Sequence, residues 1–230
     1  MSVDLTAAPT AAETSTRTRT ALLAAVLGVT SIAAVVGGLL WPEPAAGGET
    51  YAYTDIAAGR ELWWTLLTGL AAMQVLNIPL QALATMVLVR DRGSAWATWG
   101  GALMWTGGGL QGAAVAGWAA AYFYPTDPAV DPAAGTAVVE AANNDAHLFA
   151  LMVPGAALVL LGTVLQCVGL FRSRAVPRWV PVLSLFVVLS FVIPGSGLAG
   201  LLTSIPMAVG AIGLGYFAWR VTARPDRSGS

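Results

Sequence analysis

The sequence predicts an all-α protein, a polytopic membrane bundle of six transmembrane helices with both termini in the cytoplasm. Three observations favour this fold class. The 230 residues are 57% hydrophobic and only 10% charged, whereas a soluble domain carries about 25% charged residues. The apolar residues fall into uncharged runs long enough to cross a bilayer, which takes about 20 residues. The arginines collect between alternate runs, and this alternation predicts the number of crossings.

The first helix is predicted over 21–41. Residues 1–19 precede it, are rich in Thr, Ala and Ser and lack an apolar period, which predicts a disordered cytoplasmic tail. A signal peptide has an apolar region of about 7–15 residues, so the longer run here indicates a retained span. Residues 42–60 contain Pro42, Pro44 and three acidic residues and predict a polar outer loop.

The second helix, over 62–89, carries amides in its apolar sequence. Gln74, Asn77 and Gln81 are spaced i, i+3 and i+7, so they share one helix face. Amides are costly in contact with lipid. We therefore expect this face to turn inward, towards other helices.

The last uncharged run, from Trp179 to Trp219, is too long for one crossing. As a single helix it would measure roughly 61 Å at 1.5 Å per residue, and the turn residues Pro194 to Gly197 divide it in two. A loop with three prolines is predicted at 125–142. The predicted helices are 21–41, 62–89, 95–123, 144–171, 179–194 and 198–219, in a transmembrane domain of residues 20–221 followed by a cytoplasmic tail of residues 222–230.

Arginine placement supports six crossings. Ten of the eleven arginines fall in segments 1–20, 90–93, 172–178 and 220–230, and only Arg60 falls on the other side. This is the positive-inside pattern. It predicts N-in/C-in topology in a bacterial cytoplasmic membrane, with the lipid bilayer as surroundings.

Composition excludes several functions. A net charge of −1 argues against binding nucleic acid, which needs a basic patch. Cys167 is the only cysteine and His147 the only histidine, so disulfides and multi-histidine zinc sites are excluded. No carboxylate or basic residue lies in the middle of a predicted span, which argues against proton-coupled transport. We predict no metal site and no cofactor.

The amides are the first candidate site. Gln111 lies near the middle of the third helix, at the depth of Gln74 and Asn77. These residues and Gln81 either hydrogen-bond helices to one another or orient a small, mostly apolar ligand in a cavity.

Two glycines in the third helix predict close helix packing. Gly108 and Gly112 form a GxxxG step, which lets a neighbouring backbone approach. We interpret it as a contact for a homo- or hetero-oligomer.

The second candidate site lies at the outer membrane boundary. Glu61, Asp145 and His147 are candidate catalytic residues for acid–base chemistry, provided that the fold brings them together. The alternative is that Asp145 stabilises the start of a helix and His147 is an interfacial side chain.

The C-terminal half resembles a known group of proteins. The segment from Gly169 to Trp179, followed by two glycine-rich apolar helices, is similar to small six-span bacterial integral membrane proteins of unknown function. The likeness covers roughly 150–220 and implies a cytoplasmic turn and a bacterial inner membrane. Three functions stay open: a non-enzymatic accessory or small-ligand-binding component, a transporter or permease subunit for a small apolar or neutral solute, and a lipid-modifying enzyme with an outer-leaflet site.

Overall fold

The computed structural model describes residues 11–45, 50–144, 146–190 and 197–223, and these residues form α-helices and no β-strand. The helices are α1 (Ala11–Leu40), α2 (Tyr53–Ala58), α3 (Arg60–Leu88), α4 (Ser94–Phe123), α5 (Pro132–Asn143), α6 (Ala146–Ser173), α7 (Trp179–Ser184), α8 (Phe186–Leu189) and α9 (Gly197–Ala223).

Four of these helices are long and apolar enough to cross a membrane: Thr14–Leu40, Arg60–Leu88, Phe149–Ser173 and Gly200–Ala223. The chain is therefore an all-α membrane bundle with four candidate membrane-spanning helices. Helix α4 also lacks formal charges over 30 residues, but its many glycine and tryptophan residues lower its hydropathy.

Helix α1 begins ten residues before the predicted start. Residues 11–19, predicted to be a disordered tail, are helical, and residues 1–10 lie outside the described ranges. The threonine hydroxyls of this first part bond back to the helix; Thr18 Oγ1, for example, donates to the Thr14 carbonyl at 2.9 Å. The helix thus continues as an exposed extension of the apolar span.

Both predicted outer loops contain a helix. Helix α2 lies within 42–60, and α5 begins within 125–142 and ends at Asn143. Helix α5 begins at an Asp-Pro pair: the Asp131 carboxylate accepts a hydrogen bond from the Ala134 amide, and Pro132 occupies the first turn. These are standard start signals, so prolines that had indicated a loop begin a helix.

The segment predicted as the fifth helix is divided. Helices α7 and α8 are short and end at Leu189. Residues 191–196, which include most of the predicted turn, lie outside the described residues. Helix α9 is longer than predicted, from Gly197 to Ala223.

Helix α4 packs between α3 and α6, and α1 packs along α9. Glycines with a seven-residue spacing bring α4 and α6 together in antiparallel register. A Cβ on Gly100 would lie 2.6 Å from the Gly162 carbonyl oxygen, and a Cβ on Gly107 would lie 2.6 Å from that of Gly155. We call these residues the glycine ladder; Gly93 and Gly169 extend it by a third pair.

Gly108 and Gly112 also contact a helix of the same chain. A Cβ on Gly108 would lie 2.7 Å from the Gln74 carbonyl oxygen, and one on Gly112 would lie 2.5 Å from a Val75 methyl group. Both glycines are buried. Helix α3 thus packs on this face within the chain, and the predicted oligomer contact through Gly108 and Gly112 stays a prediction.

The core consists of two clusters at opposite ends of the bundle. The inner cluster joins the end of α3 to the start of α4 and to α6, α7, α9 and α1; it contains Leu27, Ala84, Leu88, Val89, Ala97, Leu170, Val176, Val180, Leu214 and Ala218. The outer cluster contains Ile56, Trp63, Leu67, Ala71, Val115, Ala119, Tyr122 and Val139. The middle of the bundle lies between them.

Charge differs sharply between the two ends. Of the nine arginines in the described ranges, eight lie at the end of the inner cluster and only Arg60 lies at the other. Helices α1 and α9 also meet at the end with the eight arginines, where the Thr20 and Thr222 hydroxyls lie 2.6 Å apart.

Candidate functional site

A cavity of about 340 Å³ lies in the middle of the bundle, between the two clusters. Its size is at the lower end of the range in which small-molecule sites fall, about 300–1,000 Å³. Residues from α1, α3, α4, α6, α7, α8 and α9 line it. Its polar lining residues are Ser31, Gln74, Asn77, Gln81, Gln111, Thr163, Ser184, Ser190 and Ser204.

All four residues predicted to bind a ligand line this one cavity. Gln74, Asn77 and Gln81 reach it from α3, and Gln111 reaches it from α4. Their shared helix face turns inward, as expected for amides in a membrane. The fold thus brings together side chains that are up to 37 positions apart in the sequence.

Asn77 forms a hydrogen-bond network that ties α3 to α1. Its Nδ2 donates to Thr30 Oγ1 at 2.7 Å and to Ser31 Oγ at 3.1 Å. Its Oδ1 accepts a bond from Gln81 Nε2 at 2.5 Å. Asn77 is 7% exposed, and both of its donor hydrogens are used. These bonds connect helices, as one of the two predicted roles requires, although α1, rather than the expected α4, supplies the partners.

Gln74 and Gln111 differ from Asn77. Within the described ranges, neither side-chain amide makes a hydrogen bond. The aliphatic part of Gln111 packs on α6, with Cγ 2.9 Å from where a Cβ on Gly155 would lie. Each amide therefore presents an unused donor and an unused acceptor next to the cavity.

Ser204 supplies a third unused polar group. Its Oγ is buried and has no hydrogen-bond partner among the described residues, and it reaches the cavity from α9. A buried polar group without a partner costs about 1–3 kcal/mol. A bound molecule or water would remove that cost.

Three other hydroxyls in the lining bond to their own helices. Thr163 donates to the Val159 carbonyl, Ser184 to that of Val180, and Ser190 to that of Val187, at 2.8–3.1 Å. These bonds satisfy the hydroxyl protons locally. Among the described residues of the lining, Gln74, Gln111 and Ser204 thus make no side-chain hydrogen bond, while Gln81 keeps an unused acceptor oxygen beside its bond to Asn77.

The rest of the lining is apolar and contains no ionisable side chain. Met73, Met104 and Met207 lie on three different helices around the cavity. Methionine is flexible and polarisable, so it adapts to ligand shape and makes favourable contacts with aromatic rings. A wall of this kind suits a neutral molecule.

The predicted outer-boundary site is only partly described, so it stays a prediction. The Glu61 carboxylate is 78% exposed and pairs with Arg60 at 3.4 Å. His147 is exposed and lies within the described ranges. Asp145 lies outside those ranges. Among the described residues, no group of three or more His, Cys, Asp or Glu side chains could hold a metal ion.

Arg60 organises the outer end instead. Its Nη2 contacts Asp127 at 2.9 Å, its Nε donates to the Phe123 carbonyl at 3.0 Å, and its guanidinium lies 3.7 Å from the Phe123 ring centroid. It therefore joins the start of α3 to the end of α4 by an ion pair, a hydrogen bond and a cation–π contact.

An aromatic cluster centred on Trp63 completes the outer end. Trp63 is 2% exposed and makes edge contacts with Trp41, Tyr51 and Tyr122. The Tyr51 hydroxyl donates to the Pro42 carbonyl at 2.9 Å and accepts a bond from the Trp41 indole at 3.0 Å. Burial raises the pKa of Tyr51 above its ordinary value of 10.0.

Asn143 links α5 to this cluster. Its Oδ1 accepts a hydrogen bond from the Tyr122 hydroxyl at 2.6 Å, and its Nδ2 donates to the Tyr51 carbonyl at 2.9 Å. The sequence did not predict this role, because the partners of Asn143 lie in two distant segments.

Comparison of the chain with protein-family models, with curated proteins and with solved structures finds no match.

Proposed function

We propose that the protein is a non-enzymatic component of a bacterial plasma membrane that binds a small neutral molecule in the cavity between its two core clusters. The observation that carries this proposal is the pair of Gln74 and Gln111 amides, which face the cavity without hydrogen-bond partners in the described ranges. At mid-membrane depth no bulk water would satisfy them. A ligand with hydrogen-bonding groups would.

Neutrality of the ligand follows from the lining. An ion moved into a medium of low dielectric constant loses solvation energy that only an opposite charge or a strong hydrogen-bond cage would replace. The described lining supplies no charged side chain. The ligand is thus uncharged and makes a few directed hydrogen bonds against a largely apolar wall.

The proposed topology has six crossings with both termini in the cytoplasm. Helix α4 is the third crossing, since it is uncharged and packs along α3 and α6. The segment that begins with α7 and α8 provides the fifth, by the arginine pattern at its start. Arg60 then lies on the periplasmic side, and the other arginines lie in the cytoplasm.

Recovery of a bound molecule tests the function. We expect the protein purified from its own membranes to carry a neutral small molecule, detected by native mass spectrometry. Ala208→Phe should abolish recovery, because Ala208 lines the cavity and a phenyl ring would fill it. Val209→Phe is the matched control, since Val209 is 43% exposed on the lipid side of the same helix.

Two results would refute the proposal. One is equal recovery of the same molecule from wild type and Ala208→Phe, which would place it outside the cavity. The other is the absence of any bound molecule from wild type. Melting temperatures of both variants, measured in the same detergent, separate lost binding from lost folding.

A further inference from the structure

We propose that the ligand of the cavity is the headgroup of a membrane-soluble para-quinone, an inference that rests on the proposed function. Three features of the lining select this chemistry: the positions of the unused polar groups, the methionines between them and the location of the cavity within the bilayer.

The unused polar groups lie on different walls. Gln74 and Gln111 lie on the packed helices α3 and α4, whereas Ser204 lies on α9, which packs along α1. All three side chains carry hydrogen-bond donors. A ligand that satisfies these donors presents acceptor oxygens at separate edges and no charge. The two carbonyl oxygens of a para-quinone have this arrangement.

The methionines favour a ligand with an aromatic or quinonoid ring between its two oxygens. Met73, Met104 and Met207 contribute thioethers from α3, α4 and α9. Sulfur–aromatic contacts contribute about 0.3–1.5 kcal/mol each, and the unbranched side chains adjust to a flat ligand. An unbranched alcohol or acyl chain would leave the polar groups of one wall unused.

Access also favours a lipid-soluble ligand. The cavity lies between the inner and the outer core clusters. A molecule that already resides in the bilayer reaches this depth without crossing either end. The isoprenoid tail of a quinone would remain among lipids while its headgroup occupies a cavity of about 340 Å³.

Binding of decylubiquinone to the full chain in nanodiscs tests this assignment. We expect one saturable site and a rise in melting temperature with ligand concentration, because a ligand that binds only the folded state stabilises it. 1-Decanol, which has a tail of the same length and no ring, should give no saturable shift.

Variants of the amides provide the decisive comparison. Gln74→Met and Gln111→Met keep the length of the side chain and remove its hydrogen bonds, so each should raise the Kd of decylubiquinone roughly 2- to 13-fold, the equivalent of one neutral hydrogen bond. Gln74→Asn, which withdraws the amide by one methylene, is the milder variant if either fails to fold. Thr106→Val is the control, since Thr106 is exposed on α4 and bonds to the Ala102 carbonyl.

The outcomes separate the ligand class from the function. Decylubiquinone binding that all amide variants leave unchanged overturns the quinone assignment. Binding of decanol with equal affinity and equal dependence on Gln74 also overturns it, while the cavity remains a ligand site. If neither probe binds, the assignment fails, and recovery of a native molecule that Ala208→Phe abolishes would still support the proposed function.

Discussion

Substitution of one residue in the glycine ladder offers a sharp test of the packing that holds the cavity wall. A Cβ on Gly107 would lie 2.6 Å from the Gly155 carbonyl oxygen and 2.8 Å from the Val159 nitrogen. Both are backbone atoms, so no side-chain rotation relieves the clash. Ordinary contact begins at 3.4 Å, and α4 and α6 would have to separate by about 0.8 Å in Gly107→Ala.

The change in the free energy of unfolding of Gly107→Ala follows from two opposing contributions. Overpacking of this kind costs about 1–3 kcal/mol, while Gly→Ala in a helix contributes about 0.8–1.0 kcal/mol. Gly109→Ala in the same helix has the same gain in helix propensity but no overpacking, because a Cβ on Gly109 would meet no atom within 4 Å. We therefore expect Gly107→Ala to be less stable than Gly109→Ala by about 1–3 kcal/mol.

The single cysteine provides the assay. Cys167 is 3% exposed, so a thiol-reactive fluorophore reports its exposure when the detergent-solubilised protein is heated. At about 2–4 °C per kcal/mol for a chain of this size, the two variants should differ by several degrees. Coincident melting curves for Gly107→Ala and Gly109→Ala would refute close packing at the ladder.

Three further predictions concern the other interactions. Asn77→Leu should lower the free energy of unfolding by about 1–3 kcal/mol, through lost bonds worth about 0.6–2 kcal/mol each; unaltered melting would contradict the connection of α3 to α1 through Asn77. Arg60→Gln should destabilise by about 1–2 kcal/mol, while Glu61→Gln, at an exposed pair, should melt like wild type; equal effects would contradict the Asp127 contact. The raised pKa of Tyr51 means that its neutral phenol contributes stability below about pH 10, and this stability is lost as pH rises through the raised pKa. Tyr51→Phe should weaken the loss of stability at alkaline pH, measured by tryptophan fluorescence between about pH 9 and 12. An unchanged profile would exclude Tyr51 as the source of that loss.

The sequence predicted the helical class and the inward amide face for a simple physical reason. Gln74, Asn77 and Gln81 follow the helical period, and amides avoid lipid strongly enough that their direction can be read from spacing alone. Their partners could not be predicted in the same way. The hydroxyls of Thr30 and Ser31 are ordinary residues of an apolar helix, and only the packing of α1 on α3 selects them.

The outer end of the bundle was harder to predict, because the same short sequence segments there indicate both a helix start and a turn. Asp131 followed by Pro132 is a helix start, yet the prolines of the same segment indicate a turn equally well. The role of Asn143 depends on residues from two other segments and has no local signal. The pairing of Gly107 with Gly155 likewise needs the fold, although the seven-residue spacing is visible in each helix.

The seven-residue spacing of the glycine ladder also limits how the hairpin of α4 and α6 assembles. Moving one helix past the other by a single turn would place each glycine opposite a neighbour that carries a side chain, so three close contacts would be lost at once. Only one alignment brings all three glycine pairs of the ladder into contact. Two helices inserted separately into the bilayer would therefore find their partner alignment by shape alone, before any polar group of the interior has been satisfied.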